Sequence, residues 1–281
     1  MYFVGNRAPK EGETVYGPYL KGSRIGLASS PDGVRWTIEN DGEAVFEPGP
    51  PGAFDQNGVS HPHVVLHEGR FWMWYGGIDG TQGSNSVRTE RLGLAHSDDG
   101  FNWTRANDGR PVLTTGDADA FDGLQVTGAA VLRRGDGWMM WYGAYSPEHD
   151  HTLMAAASSD GVDWTRLNGA QPVRGLSDAG AQVLGPSVIH DGDRYLMFYS
   201  RPVEGRWVMF AATSSDGIDW RPSRADAPVF PLDQGSSGVG QNHSVHPSQF
   251  LVEPGIARFW YQAESGFEPS PQLVFHGQLV W

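Results

Sequence analysis

Apolar residues recur along this chain in short runs, not at helical spacing. Phe71-Trp72-Met73-Trp74-Tyr75-Gly76, Trp138-Met139-Met140-Trp141-Tyr142-Gly143 and Tyr195-Leu196-Met197-Phe198-Tyr199 are near-continuously apolar, as strands buried on both faces are. Arg258-Phe259-Trp260-Tyr261 reads as a fourth copy and Met1-Tyr2-Phe3-Val4-Gly5 as a fifth. The first four are each preceded by a second run: His61-Pro62-His63-Val64-Val65, Gly128-Ala129-Ala130-Val131-Leu132, Gly185-Pro186-Ser187-Val188-Ile189 and His246-Pro247-Ser248-Gln249-Phe250. A polar segment of fixed form, A-x-S-x-D-G-x-x-W, occurs four times. It starts at Ala28, Ala95, Ala156 and Ala212 and ends at Trp36, Trp103, Trp164 and Trp220. Asp-Gly between strand-like runs is a strong hairpin signal, because glycine takes the positive φ that the turn demands. The Trp that follows is expected to begin the returning strand.

Each repeat therefore reads as three strands and a Trp-led fourth. Four-stranded antiparallel units repeated around an axis make a β-propeller. Five aromatic strands predict an all-β, five-bladed propeller in a single domain over 1–281, with blades near 1–45, 55–110, 122–170, 178–226 and 240–281. Trp36 and Trp220 stand 184 residues apart over three intervals, about 61 each, so five units ask for about 307 residues against 281. The deficit falls on blade one, whose innermost strand would precede Met1. The segment Leu273–Leu279 reads best as a third strand; the alternative is that the C-terminus supplies the inner strand of blade one.

Composition narrows the classes. The 38 Gly and 19 Pro oppose long helices, and 12% aromatic residues supply a core. A net charge of −13 opposes nucleic-acid binding. No apolar run reaches the ~18 residues of a membrane helix. Zero Cys removes disulfides, thiolate metal sites and cysteine nucleophiles. The N-terminus has no basic segment followed by a long apolar one, so a cytoplasmic location is expected.

The x-P-x-V-V inner strands, M-W-Y-G second strands and A-x-S-x-D-G-x-x-W turns resemble the five-bladed propellers of the furanosidase superfamily. That group comprises glycoside hydrolase families 43, 32, 62 and 68 and the mannoside phosphorylases of family 130. The resemblance covers essentially the whole chain and implies a carbohydrate-active enzyme. In family 43 the catalytic carboxylates sit on inner strands, with Asp commonly just before the Pro. The matching slots here hold His61, Gly128, Gly185 and His246, and none is acidic. The usual catalytic acids are thus replaced.

In a propeller of this wiring, the loops leading into the inner strands share one face with those joining strands two and three. The Asp-Gly turns lie on the other, where Asp32, Asp99, Asp160 and Asp216 bond turn amides. The first face should carry Asp55, Asp122 and Asp178. For Asp55 and Asp122, anchoring the loop and acid/base chemistry are both open readings. His61, His63, His149, His151, His243 and His246 fall on the same face, where H-x-H pairs can grip one substrate or metal. Glu148 is a spare general acid in a polar loop. Tyr145 can stack on a sugar ring, with Gln125 and Gln182 nearby.

The expectation is a glycoside hydrolase-like protein acting on a small glycoside or oligosaccharide in the axial funnel. Catalysis falls to Asp55, His61, Asp122, Glu148 and His246. Substrate contacts fall to His63, Gln125, Tyr145, His149, His151, Asp178, Gln182 and His243. No cofactor is required, although an axial calcium or zinc ion is compatible with the His-rich face. Beyond the sugar, the expected state is monomer or homodimer, with no nucleic acid and no membrane as partner. Two alternatives stay open: a lyase, isomerase or cyclase using a His/Asp site, and a non-catalytic sugar-binding propeller.

Overall fold

The computed structural model describes residues 1–6, 22–79, 89–176, 182–223, 227–229, 244–253, 256–264 and 273–280. For residue 206 and from 244 onward, only the backbone is described. The chain is nearly all-β. The first group of strands is β1 (Tyr2–Asn6), β2 (Ser23–Ser29) and β3 (Thr37–Ile38). The second is β4 (Gly58–His67), β5 (Arg70–Ile78), β6 (Glu90–Ser97) and β7 (Thr104–Arg105). The third is β8 (Gln125–Arg134), β9 (Gly137–Ser146), β10 (Asp150–Ser158) and β11 (Thr165–Arg166). Then come β12 (Leu184–His190), β13 (Tyr195–Val203), β14 (Arg206–Ser214) and β15 (Arg221–Pro222). The last group is β16 (Ser244–Glu253), β17 (Ile256–Glu264) and β18 (Leu273–Val280).

Within each group, consecutive strands pair antiparallel. Single parallel pairs, Ser23↔Gly58 and Glu90↔Gln125, join neighbouring groups. The first strands β4, β8, β12 and β16 run beside one another in that order. β18 pairs with β17 from Ile256↔Val280 to Ala263↔Leu273, so the C-terminal segment is a third strand of its own group. The fourth strands differ from expectation in being only two residues long. The Trp precedes that strand, and its indole turns back to donate to the turn glycine: Trp103 to Gly100 (3.1 Å), Trp164 to Gly161 (3.0 Å) and Trp220 to Gly217 (3.1 Å).

The same three carbonyls accept a second donor from the preceding group. Tyr2 Oη reaches Gly100 (3.0 Å), Trp74 Nε1 reaches Gly161 (3.1 Å) and Trp141 Nε1 reaches Gly217 (2.7 Å). The rings meet edge-on as Tyr2–Trp103, Trp74–Trp164 and Trp141–Trp220. Aromatic pairs of this geometry add about 0.5–1.5 kcal/mol beyond area burial. The M-W-Y strands thus form the core, with Trp74, Trp141, Tyr142 and Tyr199 fully buried.

The turn acids are structural. Oδ1 of Asp99 accepts the amides of Phe101 (2.8 Å) and Asn102 (2.7 Å), and Asp32, Asp160 and Asp216 repeat the arrangement. Those backbone bonds hold the Asp32, Asp99 and Asp160 carboxyls below the ordinary range; around Asp216 they outweigh burial, its largest influence, which acts the other way. A fourth repeated element was not foreseen. Asn40–Gly42, Asn107–Gly109 and Asn168–Ala170 are left-handed turns in which all three residues have positive φ. The Asn side chain closes each: Asn168 Nδ2 donates to Pro172 O at 2.7 Å.

Candidate functional site

Strands β4, β8 and β12 each shift register at the same place, between Ser60 and His63, Thr127 and Ala130, and Leu184 and Ser187. The residue opening each bulge is left-handed: His61 (φ 45°), Gly128 (56°) and Gly185 (65°). Two of the three are glycines, which adopt this conformation freely. His61 does so at a steric cost of the kind that persists where the surroundings enforce it. The bulge turns its ring outward, leaving the side chain 49% exposed.

The exposed ring stands on a buried carboxylate that the sequence reading missed. Glu90, the first residue of β6, is 1% exposed. Its Oε1 accepts hydrogen bonds from Ser60 Oγ and Thr127 Oγ1, both at 2.6 Å. His61 Nδ1 lies 3.3 Å from the same oxygen, 3.0 Å from Ser60 Oγ and 3.2 Å from Thr127 Oγ1. Side chains from β4 and β8 thus converge on one carboxylate oxygen of β6. Gly76 on β5 makes room: a Cβ there would overlap Glu90 Oε1. With Nδ1 facing the carboxylate, Nε2 is the nitrogen left to meet a ligand.

The other expected residues sort by surroundings. Asp55 (0% exposed) accepts from Tyr75 Oη (3.0 Å) and Arg105 Nε (2.8 Å). Asp122 (1%) repeats this with Tyr142 Oη (3.0 Å) and Arg166 Nε (2.8 Å). Burial first, and then the neighbouring carboxylate, raises both tyrosines, so each stays protonated as a donor. These are internal ties between the loop before the inner strand and the strand after the Trp, the anchoring alternative of the sequence reading. His63 faces Val131 O through Nε2 (2.9 Å), and burial pushes its pKa down to about 4, so it is a neutral staple between β4 and β8.

Gln125 stands in register between Glu90 and Tyr145, and Tyr145 pairs with His151. The Tyr145 and His151 rings lie 4.6 Å apart at 34°, with Trp207, a residue not foreseen, edge-on to His151. Burial lowers the His151 pKa against the pull of Asp150. Gln182 Nε2 donates to Asp150 Oδ2 (2.5 Å). His149 stacks on Phe121 and bonds Asp119 O (3.1 Å), while Glu148 is exposed in the same turn. Asp178 and His243 lie outside the described residues, and for His246 only the backbone on β16 is described. Among the described residues, no group of three or more His, Asp or Glu is placed to hold a metal ion. No helix among them is long and apolar enough to cross a membrane.

No protein-family model matches this chain. Two uncharacterized proteins of Mycobacterium tuberculosis, from strains CDC 1551 / Oshkosh and ATCC 25618 / H37Rv, are each 28% identical over 185 residues, 64% of this chain. The chain spans 59% of the length of these curated relatives. Among solved structures, a complex of BT0996 with RGII superposes with a TM-score of 0.70 at 22% identity, covering 92% of this chain and 78% of that one. A thermostable family-43 glycoside hydrolase gives 0.65 at 16%, covering 93% and 83%. A structure from the GH130 family of mannoside phosphorylases, said to contain glycoside hydrolases that target β-1,2 mannosidic linkages in Candida mannan, gives 0.60 at 19%, covering 95% and 78%. The likeness to these solved structures is one of fold.

Proposed function

We propose that this chain is a carbohydrate-active, glycoside hydrolase-like propeller whose chemistry centres on His61 and Glu90. The carrying observation is the convergence of Ser60, His61 and Thr127 on the buried Glu90 carboxylate. The five groups of strands are read as five blades of one domain, the first contributing β1 to β3. The strand register supports this, because β2 meets β4 at Ser23↔Gly58 as β6 meets β8 at Glu90↔Gln125. The neighbours named above include a complex with RGII and enzymes of glycosidic linkages, which supports a small glycoside or oligosaccharide as substrate.

Cleaving a glycosidic bond needs a proton for the leaving oxygen. Glu90, fixed by two hydroxyl donors, faces Nδ1 of His61 and orients the ring. Nε2–H then faces the funnel and donates its proton to the leaving oxygen. Thus His61 is the catalytic residue, and Glu90, Ser60 and Thr127 are positioning residues. His246-Pro247 on β16 matches His61-Pro62 in sequence and is the candidate for the second proton-transfer group. Asp55 and Asp122 keep the anchoring role.

The test is a panel of aryl glycosides and free oligosaccharides assayed with wild type, His61→Ala, Glu90→Gln and His246→Ala. General acid–base catalysis contributes about 10²–10⁴-fold, and a loss of that size is expected for His61→Ala. Glu90→Gln should also shift the pH profile. Turnover unaffected by His61→Ala would overturn the assignment, and a wild type that binds sugars without cleaving them would leave a binding protein.

A further inference from the structure

We infer that Tyr145, His151 and Trp207 form a second sugar-ring site, so that the substrate spans at least two sugar units. The inference rests on the sugar-acting reading of the funnel and extends it to substrate length.

Glu90 and His151 occupy the same place in successive repeats, five residues before Ala95 and Ala156. They are joined by one in-register row: Glu90 on β6, Gln125 on β8, Tyr145 on β9 and His151 on β10. Residues paired across strands share a face. Tyr145 is two strand spacings from Glu90, ~10 Å at the backbone, and His151 three, ~14 Å. That reach is wider than a single sugar ring.

The two repeats treat this face differently. In the second group, Glu90 crosses Gly76 and fills the space above it. In the third, a Cβ at Gly143 would meet only Thr127, at 3.3 Å from Cγ2. His151 instead leans against Tyr145, with the Trp207 ring 6.4 Å away at 80°. Among the described residues, neither the Tyr145 hydroxyl nor a ring nitrogen of His151 has a hydrogen-bond partner. Burial keeps the imidazole neutral, able to donate from one nitrogen and accept at the other. An aromatic face ringed by neutral polar groups matches a sugar, whose C–H faces stack and whose hydroxyls both donate and accept.

The experiment is calorimetric titration with mannose, β-1,2-mannobiose and β-1,2-mannotriose, and with arabinose and its 1,5-linked di- and trisaccharides. Wild type, His61→Ala, Tyr145→Ala and His151→Ala are compared, with histidine ring NMR signals followed in parallel. Affinity is expected to rise with chain length in wild type and in His61→Ala, and titration should shift the His151 ring signals. Tyr145→Ala and His151→Ala should lower affinity for the longer sugars about three- to tenfold and flatten the length dependence. If either variant fails to fold, Tyr145→Phe or His151→Gln takes its place and should show the same loss in weaker form. A length dependence that persists in the variants, with the His151 signals unmoved, would overturn this site while leaving His61 and Glu90 untouched. A wild type that binds none of these sugars would overturn the funnel reading and this site together.

Discussion

The Glu90 carboxylate lies across the bare face of Gly76, in the space a side chain there would occupy. The glycine of the M-W-Y-G motif is therefore demanded by its neighbour on β6, since its φ is ordinary. Gly76→Ala would force the carboxylate off Ser60 and is expected to cost about 1–3 kcal/mol, as overpacking does. Gly143→Ala, facing only Thr127, should cost less. Thermal melts of the two variants provide the comparison, and equal losses would show that Glu90 can move aside freely.

Two indoles share the Gly217 carbonyl, that of Trp141 from one group and that of Trp220 from the next. Removing either by Phe substitution leaves the other donor in place. Removing both leaves a buried carbonyl without its side-chain donors, which costs about 1–3 kcal/mol. The double variant Trp141→Phe/Trp220→Phe is thus expected to lose more stability than the two single variants added together, by about 1 kcal/mol. Denaturant titrations of the full cycle measure that excess, and strict additivity would mean that the shared acceptor is not the coupling.

These shared contacts explain why the strand repeat and His61 could be read from sequence while Glu90 could not. Tyr2, Trp74 and Trp141 recur because every group needs the same staple to the next, so selection for packing writes itself as repetition. Glu90 has the opposite signature. Its counterparts in the other repeats are Ser23, His151 and Trp207, a position that varies while the strand around it is kept. Comparing the repeats column by column would have exposed it. For Asp55 and Asp122 anchoring and catalysis both stayed open in the sequence because their arginine partners lie far along the chain, 50 and 44 residues away. Nothing local in a Phe-Asp pair announces them.

Ala170 closes the third left-handed turn at φ 59°, where Gly42 and Gly109 close the other two. An alanine in this region is strained by roughly 1–2 kcal/mol, and glycine is not. Its methyl group packs against the edge of the core, which offsets part of that relief. Ala170→Gly is therefore expected to raise stability by about 0.5–1 kcal/mol, read as a melting temperature a few degrees higher. A fall would mean that the methyl contact outweighs the backbone strain.

Stability should decline with falling pH in two stages. His63 titrates near 6.5 when unfolded and at about 4 in the folded chain. Between these values the unfolded state binds the proton and the folded state does not, so acid favours unfolding by up to about 1.4 kcal/mol per pH unit from this one group. His96 and His151, also lowered chiefly by burial, act in the same direction. The turn carboxylates Asp32, Asp99 and Asp160 are depressed by their backbone bonds, so their contribution is present above their unfolded pKa near 4 and is lost below it. His63→Gln keeps a donor for Val131 but cannot titrate. It should flatten the decline between pH 6.5 and 4 and leave the steeper fall below pH 4 intact, as measured by urea midpoints across that range. An unchanged slope in the upper range would mean that His63 is protonated in the folded chain.

Asp122 offers the sharpest distinction between anchoring and catalysis. Its carboxylate is held by Tyr142 and by Arg166, whose Nη2 also donates to Thr114 O at 2.6 Å. The acid thus ties strand β11 to the loop before β8. Asp122→Ala would leave a partly buried guanidinium without its counter-ion, and breaking such a pair costs on the order of 3 kcal/mol. The folded fraction, selected by size-exclusion chromatography, should keep kcat for whichever glycoside wild type cleaves within a few-fold, while its melting temperature falls. Asp55→Ala should behave alike through Arg105. A hundredfold drop in kcat at an unchanged melting temperature would return both acids to the reaction and displace His61 as the proton donor.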